Sequence, residues 1–357
     1  MTDDRRILER SIARVEPTDP AVGKRAWARL DSLTKPPRSL GRLEEIAAAL
    51  AQIQGTVRPS VDRKAIILMA ADHGVVAEGV SPYPQSVTAQ MVANLASGGA
   101  AINQLARSVG AELCLYDIGV VADTSGLDGV RQIKVVRGSA NLRKSPALQE
   151  SEVIAALLHG VAAAEAVVDD GVTLIGTGEM GIGNTTASAA LTAAYTGAAA
   201  EAVVGPGTGL DDEGMAQKLA VVNEALVRTR RDNPDALGLL ASLGGAEIAA
   251  LAGVMIGGAA RRTCVIVDGF ISGAAALAAV ALCPASRDYL LASHRSAEPG
   301  HTVQLEYLGM RPVLELDLRL GEGTGAALAM AIVDAACAML SGMVTFEEAG
   351  ISGAGAG

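Results

Sequence analysis

The segment Gly176-Thr177-Gly178-Glu179-Met180-Gly181-Ile182-Gly183-Asn184-Thr185-Thr186 carries the strongest chemical signal in the chain, because it follows an apolar run and opens a helical one. Glycines let backbone N–H groups approach an anion closely, a helix N-terminus adds the positive end of its dipole, and Asn184, Thr185 and Thr186 add donors. Such a segment reads as a phosphate cradle. No lysine follows its last glycine, so it is not the G-x-x-x-x-G-K-[ST] loop of ATP-binding proteins. A plain glycine-rich turn is the alternative, although a turn has no need of the Asn-Thr-Thr run.

A second glycine turn, Gly205-Pro206-Gly207-Thr208-Gly209-Leu210-Asp211-Asp212-Glu213-Gly214, places Lys218 about a turn inside the next helical run, near the same anion. Asp211 and Asp212 suit capping of that helix. Magnesium partnering of a phosphoribosyl diphosphate is the alternative, but the hydrophobic strand that would present such paired acids is missing. The third segment is Leu318-Arg319-Leu320-Gly321-Glu322-Gly323-Thr324-Gly325. Glu322 stands between two glycines just before an Ala-rich helix, so its carboxylate can enter a cleft without a bulky neighbour. General-base work suits it if burial raises its pKa, and capping of the following helix is an equal alternative.

Asp72-His73, in Ala71-Asp72-His73-Gly74-Val75-Val76, organises a loop or takes part in catalysis or metal binding, the first being the commoner role of such a pair. The turn Ser81-Pro82-Tyr83-Pro84-Gln85-Ser86-Val87-Thr88-Ala89-Gln90-Met91 groups Ser81, Tyr83, Gln90 and Met91, which suits a flat heteroaromatic ligand needing apolar walls and a hydrogen bond. Ser293-His294-Arg295-Ser296-Ala297-Glu298-Pro299-Gly300-His301 contains a Ser-His pair, but no G-x-S-x-G elbow supports a hydrolase.

The elements that must position these groups read as alternating short β-branched runs and long Ala-rich ones. Strands are expected at 65–69, 112–117, 172–175, 264–267, 289–292 and 313–316, each followed by a Gly, Ser, Asp or Asn cluster. Helices are expected at 25–33 and 40–53, on either side of the Lys35-Pro36-Pro37 break, and at 87–106, 185–194, 213–229 and 325–340. This is the pattern of a mostly parallel, Rossmann-like α/β sheet with crossover helices, whose ligand site lies beyond the carboxyl ends of the strands. The uncharged stretch 269–286 is read as a buried helix, since Gly, Ser and Pro interrupt it. We expect a large α/β catalytic domain over 61–335. A small helical lobe joins residues 1–60 to 336–357, which end in a flexible Gly-Ala tail.

The chain of 357 residues is 50% hydrophobic with two Phe, one Trp and 41 Gly, so its core must pack through close contacts between small side chains. A formal charge of −10 without a basic stripe argues against a nucleic-acid surface. Cys114, Cys264, Cys283 and Cys337 are far apart, which points to reduced thiols and a cytoplasmic location. Residues 1–10 mix charges and offer no apolar signal segment.

Taken together, several motifs in one order resemble the nicotinate-nucleotide:dimethylbenzimidazole phosphoribosyltransferase family, which builds the lower ligand of cobalamin. They run from Leu33-Thr34-Lys35-Pro36-Pro37-Arg38-Ser39-Leu40-Gly41-Arg42-Leu43-Glu44 through the Asp72-His73 segment, the loop ending at Thr186, Val267-Asp268-Gly269-Phe270-Ile271-Ser272 and the 293–301 stretch to Gly325. The resemblance implies a homodimer with nicotinate mononucleotide and a benzimidazole-type base as substrates. Glu322 is then the general base, Glu179 lies beside the reacting ribose, and the configuration at C1′ inverts. Phosphate falls to Gly181, Ile182, Gly183, Asn184, Thr185, Thr186, Gly207, Thr208 and Lys218. The base falls to Ser81, Tyr83, Gln90 and Met91, and nicotinate to Ser296 and Gly325. No metal and no cofactor are implied, because the leaving group is not a pyrophosphate. A small-molecule kinase or nucleotidyltransferase, and a non-enzymatic nucleotide-binding protein, are the alternatives.

Overall fold

Short runs of Ile, Leu, Val and Ala that are apolar on both faces form a sheet buried on both faces. In the computed structural model, which describes residues 2–352, six such strands lie in the order β3-β2-β1-β4-β5-β6, every neighbouring pair parallel. They are β1 (Lys64–Ala71), β2 (Ala111–Gly119), β3 (Val130–Gln132), β4 (Leu174–Met180), β5 (Cys264–Val267) and β6 (Leu290–Ala292). Two further short strands, β7 (His294–Arg295) and β8 (Leu314–Glu315), form a separate two-stranded sheet, so the expected strand at 313–316 lies outside the main sheet. β3, short and partly exposed at the edge, was not expected.

Adjacent residues of a strand point to opposite faces. Ile175 accordingly meets the helix Ala246–Ala260 at Gly258, while Gly176 meets Ala326 and Met330 of the helix Thr324–Gly342 on the other side. Small residues set the helix spacing. A Cβ on Gly160 would lie 1.9 Å from the Ala250 carbonyl oxygen, and one on Gly253 would lie 2.0 Å from that of Leu157, so the helices Glu150–Asp169 and Ala246–Ala260 touch backbone to backbone. Both Glu150–Asp169 and Thr324–Gly342 are long and apolar enough to cross a membrane, yet about half of each is buried within the fold.

The helix Phe270–Leu282 is buried from Phe270 through Ala279. The expected helix at 87–106 is two, Ser86–Ala96 and Ala101–Ser108, because Gly98 turns the chain with φ +83° between them. At the chain ends, Pro20–Ser32 packs on Arg42–Gln54, which packs on Thr324–Gly342. Leu33 bridges to Thr345, the Thr34 N–H donates to the Val344 carbonyl at 3.1 Å, and Lys35 pairs with buried Glu44 at 2.9 Å. The helix Thr324–Gly342 runs unbroken past residue 336. The tail expected at 353–357 lies outside the described residues.

Candidate active site

β1 and β4 are neighbours in the sheet although two strands separate them in the chain, so the connections leave this point in opposite directions. A crevice opens at such a switch point. The cleft, about 660 Å³, lies beside that point, beyond the ends of β4 and β5, with the β1–β2 crossover supplying Tyr83, Val87 and Met91 to its wall.

β4 continues through Met180, with Glu179 paired to Met69, so Gly176 and Gly178 belong to the strand and the expected eleven-residue loop shrinks to residues 181–183. Gly183, at φ +93°, is the N-cap of the helix Asn184–Thr196 and supplies no side-chain cap, leaving the helix N-terminus open. Gly181, Ile182, Asn184, Thr185, Gly207 and Thr208 lie on the cleft wall. The Ile182 N–H is committed to Thr88 Oγ1 at 3.1 Å and the Gly207 N–H to Glu298 Oε1 at 2.8 Å. Gly183, Thr186 and Lys218 stand behind the wall. Lys218 is fully buried and donates from Nζ to Thr185 Oγ1 and to the Gly205 carbonyl, each at 2.9 Å. Burial brings its pKa down to about 8, so at neutral pH it still holds a positive charge directly behind Thr185.

Glycine at 176 and 178 has a packing cause. Both lie on one face of β4, and a Cβ on Gly178 would sit 2.7 Å from the Glu322 carbonyl oxygen. The bare strand lets the turn Gly321-Glu322-Gly323 rest on it. All three residues of that turn are left-handed, with φ of +84°, +61° and +86°. For the non-glycine Glu322 this conformation costs about 1 kcal/mol or more and persists only where the surroundings enforce it. The turn throws the Glu322 carboxyl into the cleft wall, 4% exposed, with Oε2 lacking a hydrogen-bond partner among the described residues. Burial, and then the charge of Asp268, push its pKa above the usual carboxylate range. Capping of the following helix falls instead to Asp268, whose Oδ1 accepts from the Ala326 N–H at 2.9 Å and Oδ2 from the Gly323 N–H at 3.3 Å.

Glu179 lies beside this turn on the cleft wall, with Oε2 accepting from Asn184 Nδ2. Burial first, then the charges of Asp268 and Glu247, push its pKa to about 8. It is therefore largely protonated at neutral pH and able to donate a hydrogen bond. Asp211 caps its helix, accepting from the Gly214 N–H at 2.9 Å.

Tyr83, Val87 and Met91 form the apolar side of the cleft. Gln90 faces solvent. Ser81 lies in a neighbouring groove with Pro82, Leu210, Asp211 and Gln217, its Oγ accepting from the Tyr83 N–H at 3.1 Å. Ser296 lines the cleft, held by its N–H donating to His301 Nδ1 at 2.9 Å. Gly325 lies under His294, where a Cβ would meet Nδ1 at 2.0 Å, so the imidazole and not the glycine reaches the wall. Ser293 Oγ donates to the Asp268 carbonyl at 2.5 Å and lies 2.8 Å from His294 Nδ1. Its single proton is thus committed, and no serine nucleophile results. Asp72 and His73 organise a loop, Asp72 Oδ2 accepting from the Val121 N–H at 2.8 Å and His73 Nε2 lying 2.5 Å from Glu247 Oε1.

Sequence reasoning gave no role to Asp268, Glu298 and Arg319 and weighed His294 only as the partner of a serine nucleophile, yet all four line the cleft. Arg319 is the one cation on that wall among the described residues and donates to the Gly207 carbonyl at 3.0 Å. Its signal was its place two residues before the Gly-Glu-Gly turn.

A family model described as phosphoribosyltransferase matches residues 15–351. The nicotinate-nucleotide–dimethylbenzimidazole phosphoribosyltransferase of Desulforudis audaxviator (strain MP104C) is 49% identical over 346 residues, covering 97% of this chain and 98% of that enzyme. The enzyme of the same name from Roseiflexus sp. (strain RS-1) is 50% identical over 347 residues, with 97% and 98% covered. The crystal structure of CobT from Thermus thermophilus superposes with a TM-score of 0.90 at 50% identity, over 93% of this chain and 99% of that one.

Proposed function

The chain belongs to the phosphoribosyltransferase family whose curated members are the nicotinate-nucleotide–dimethylbenzimidazole phosphoribosyltransferases, and from that premise we propose how its cleft performs the transfer. The activity is that of the family. The phosphoribosyl group of nicotinate mononucleotide moves to a benzimidazole-type base, and nicotinate is released.

The substrate phosphate sits at the open N-terminus of Asn184–Thr196, within reach of Thr185 and Thr208, with the buried Lys218 charge behind them and Arg319 at the rim. The flat base lies against Tyr83, Val87 and Met91, with one ring nitrogen facing C1′ and its N–H facing Glu322. The free nitrogen forms a bond to C1′ while the C1′–N bond to the pyridinium breaks, its electron pair returning to nicotinate. Attack from the side opposite the leaving group turns β into α. The N–H of the ribosylated base becomes acidic as positive charge builds on the ring, and Glu322 takes that proton. Protonated Glu179 donates a hydrogen bond to the ribose, and Ser296 steadies the departing nicotinate.

One observation carries this reading: a cleft-wall carboxyl, Glu322, is held in a left-handed turn with an oxygen that no group among the described residues satisfies. Incubation with nicotinate mononucleotide and dimethylbenzimidazole should release one nicotinate per nucleotide product, and the product's anomeric proton should report the α configuration. A β product would remove the inversion. We extend the reading to a cytoplasmic homodimer, supported by the four buried free thiols and by Tyr83, Leu316 and Leu320 standing exposed beside the cleft. A monomeric mass in sedimentation would remove the dimer.

A further inference from the structure

We infer that Asp268 is the positioning residue of the general base: its carboxylate, fixed just beyond β5, grips the exit of the Gly321-Glu322-Gly323 turn and so aims Glu322 into the cleft. The inference rests on the reading of Glu322 as the base.

The two carboxyls are in opposite situations. Glu322 has an oxygen without a partner among the described residues, whereas both oxygens of Asp268 receive backbone N–H groups, those of Ala326 and Gly323. Asp268 is 1% exposed and its backbone N–H donates to Thr177 Oγ1 at 3.1 Å, so the grip comes from the rigid middle of the sheet. A carboxyl whose lone pairs are already taken up is poorly placed to accept a substrate proton. It is well placed to hold a strained turn. The turn's other ties are the local bond from Thr324 Oγ1 to the Gly321 carbonyl at 2.8 Å, the bed of Gly178 beneath it and the Ile102 N–H facing the Glu322 carboxyl. Asp268 is the side chain that joins it to another strand.

The same residue acts on Glu322 through its charge. The groups around Glu322 are Asp268 from just beyond β5, Glu179 from β4, His294 from β7 against Asp268, and Asp317 and Arg319 on its own loop. The helix Ala101–Ser108 presents the Ile102 N–H. Of the charged neighbours, Asp268 contributes the largest upward push on the Glu322 pKa, which makes the base stronger once it has lost its proton.

The test is a set of variants assayed for nicotinate release across pH, with thermal melting as a check of fold. D268A, which removes grip and charge together, should lower kcat by about 10²-fold, the scale of a small misplacement of a catalytic group, with little change in KM. D268N keeps one acceptor oxygen and should recover part of that loss, while the acid limb of its kcat/KM profile moves to lower pH because a negative neighbour of Glu322 is gone. The double variant D268A/E322Q should be no slower than E322Q alone, since Asp268 acts through Glu322. Wild-type kcat in D268N, an unmoved acid limb, or effects that multiply in the double variant would each overturn the assignment. So would a D268N chain that does not fold, because Asp268 would then be a structural residue. A near-normal E322Q removes the base itself, whereas a slow E322Q beside an unaffected D268A and D268N removes only the role of Asp268.

Discussion

Gly178 of β4 and Glu322 are in backbone contact: a Cβ at 178 would lie 2.7 Å from the Glu322 carbonyl oxygen and 3.1 Å from the Gly323 nitrogen. The strand therefore serves as the bed on which the turn rests, and any side chain at 178 must lift it. G178A should cut kcat by about 10- to 100-fold through misplacement of the carboxyl and destabilise the fold by about 1–3 kcal/mol through overpacking. A variant with normal kcat and an unchanged melting temperature would show that the turn does not depend on the strand.

The phosphate turn makes a separable prediction. Gly183 is left-handed, and a Cβ there would meet Val76 Cγ2 at 2.8 Å and His73 Cβ at 3.3 Å, so a larger residue must distort the N-cap of Asn184–Thr196. G183V should raise the KM for nicotinate mononucleotide by about tenfold or more, with a much smaller effect on the KM for the base. Calorimetry that finds wild-type affinity for the nucleotide would take the turn out of the phosphate site.

Lys218 predicts a pH dependence whose sign follows from its depressed pKa. Below about 8 it is charged and draws the phosphate, and above that value the charge is lost. K218M should raise the KM for the nucleotide by about tenfold at pH 7, because it removes a buried positive charge that stands directly behind Thr185 without touching the phosphate. The ratio of variant to wild type should shrink as pH rises past about 8, because the wild type is then neutral at this position as well. Ionisation of Glu179 near the same pH lowers affinity in both proteins and cancels in the ratio. A ratio constant from pH 6 to 10 would mean that the ammonium charge does not reach the phosphate.

The sheet was legible because parallel strands buried on both faces leave unbroken apolar runs, and the helix starts were legible from Gly and Asp. The end of β4 was not. Gly176 and Gly178 look like loop residues, since glycine is depleted in strands, and the reason for them lies in a turn far along the chain. Asp268 was opaque for the same reason, its two backbone partners being 55 and 58 residues away. On the apolar side, Val87 and Met91 share a helix face four residues apart, whereas Gln90 is set about 100° off Met91 and turns to solvent. Residue type suggested that Gln90 suits a heteroaromatic ligand, but helix phase sets it off the face that Val87 and Met91 present to the cleft.

The decisive prediction concerns Glu322. A benzimidazole nitrogen bearing a proton becomes strongly acidic once its partner nitrogen attacks C1′, so a carboxylate at that proton stabilises the developing cation, an effect of about 10² to 10⁴ in rate. Glutamine keeps the shape of the side chain and fits the same left-handed turn, since the turn is held at the backbone of Gly321 and Gly323 and the amide oxygen can still accept from the Ile102 N–H. E322Q should therefore fold and bind both substrates while turnover falls by about two to three orders of magnitude, or about 3–4 kcal/mol of transition-state stabilisation. Because burial and Asp268 hold the Glu322 pKa above the ordinary carboxylate range, the wild-type kcat/KM should rise with pH on the acid side through that elevated value, and this limb should be absent in E322Q. A folded E322Q with near-normal turnover, or one that keeps the acid limb, would transfer the base role to Glu179, the other raised carboxyl on the cleft wall, and E179Q would then have to show the loss instead.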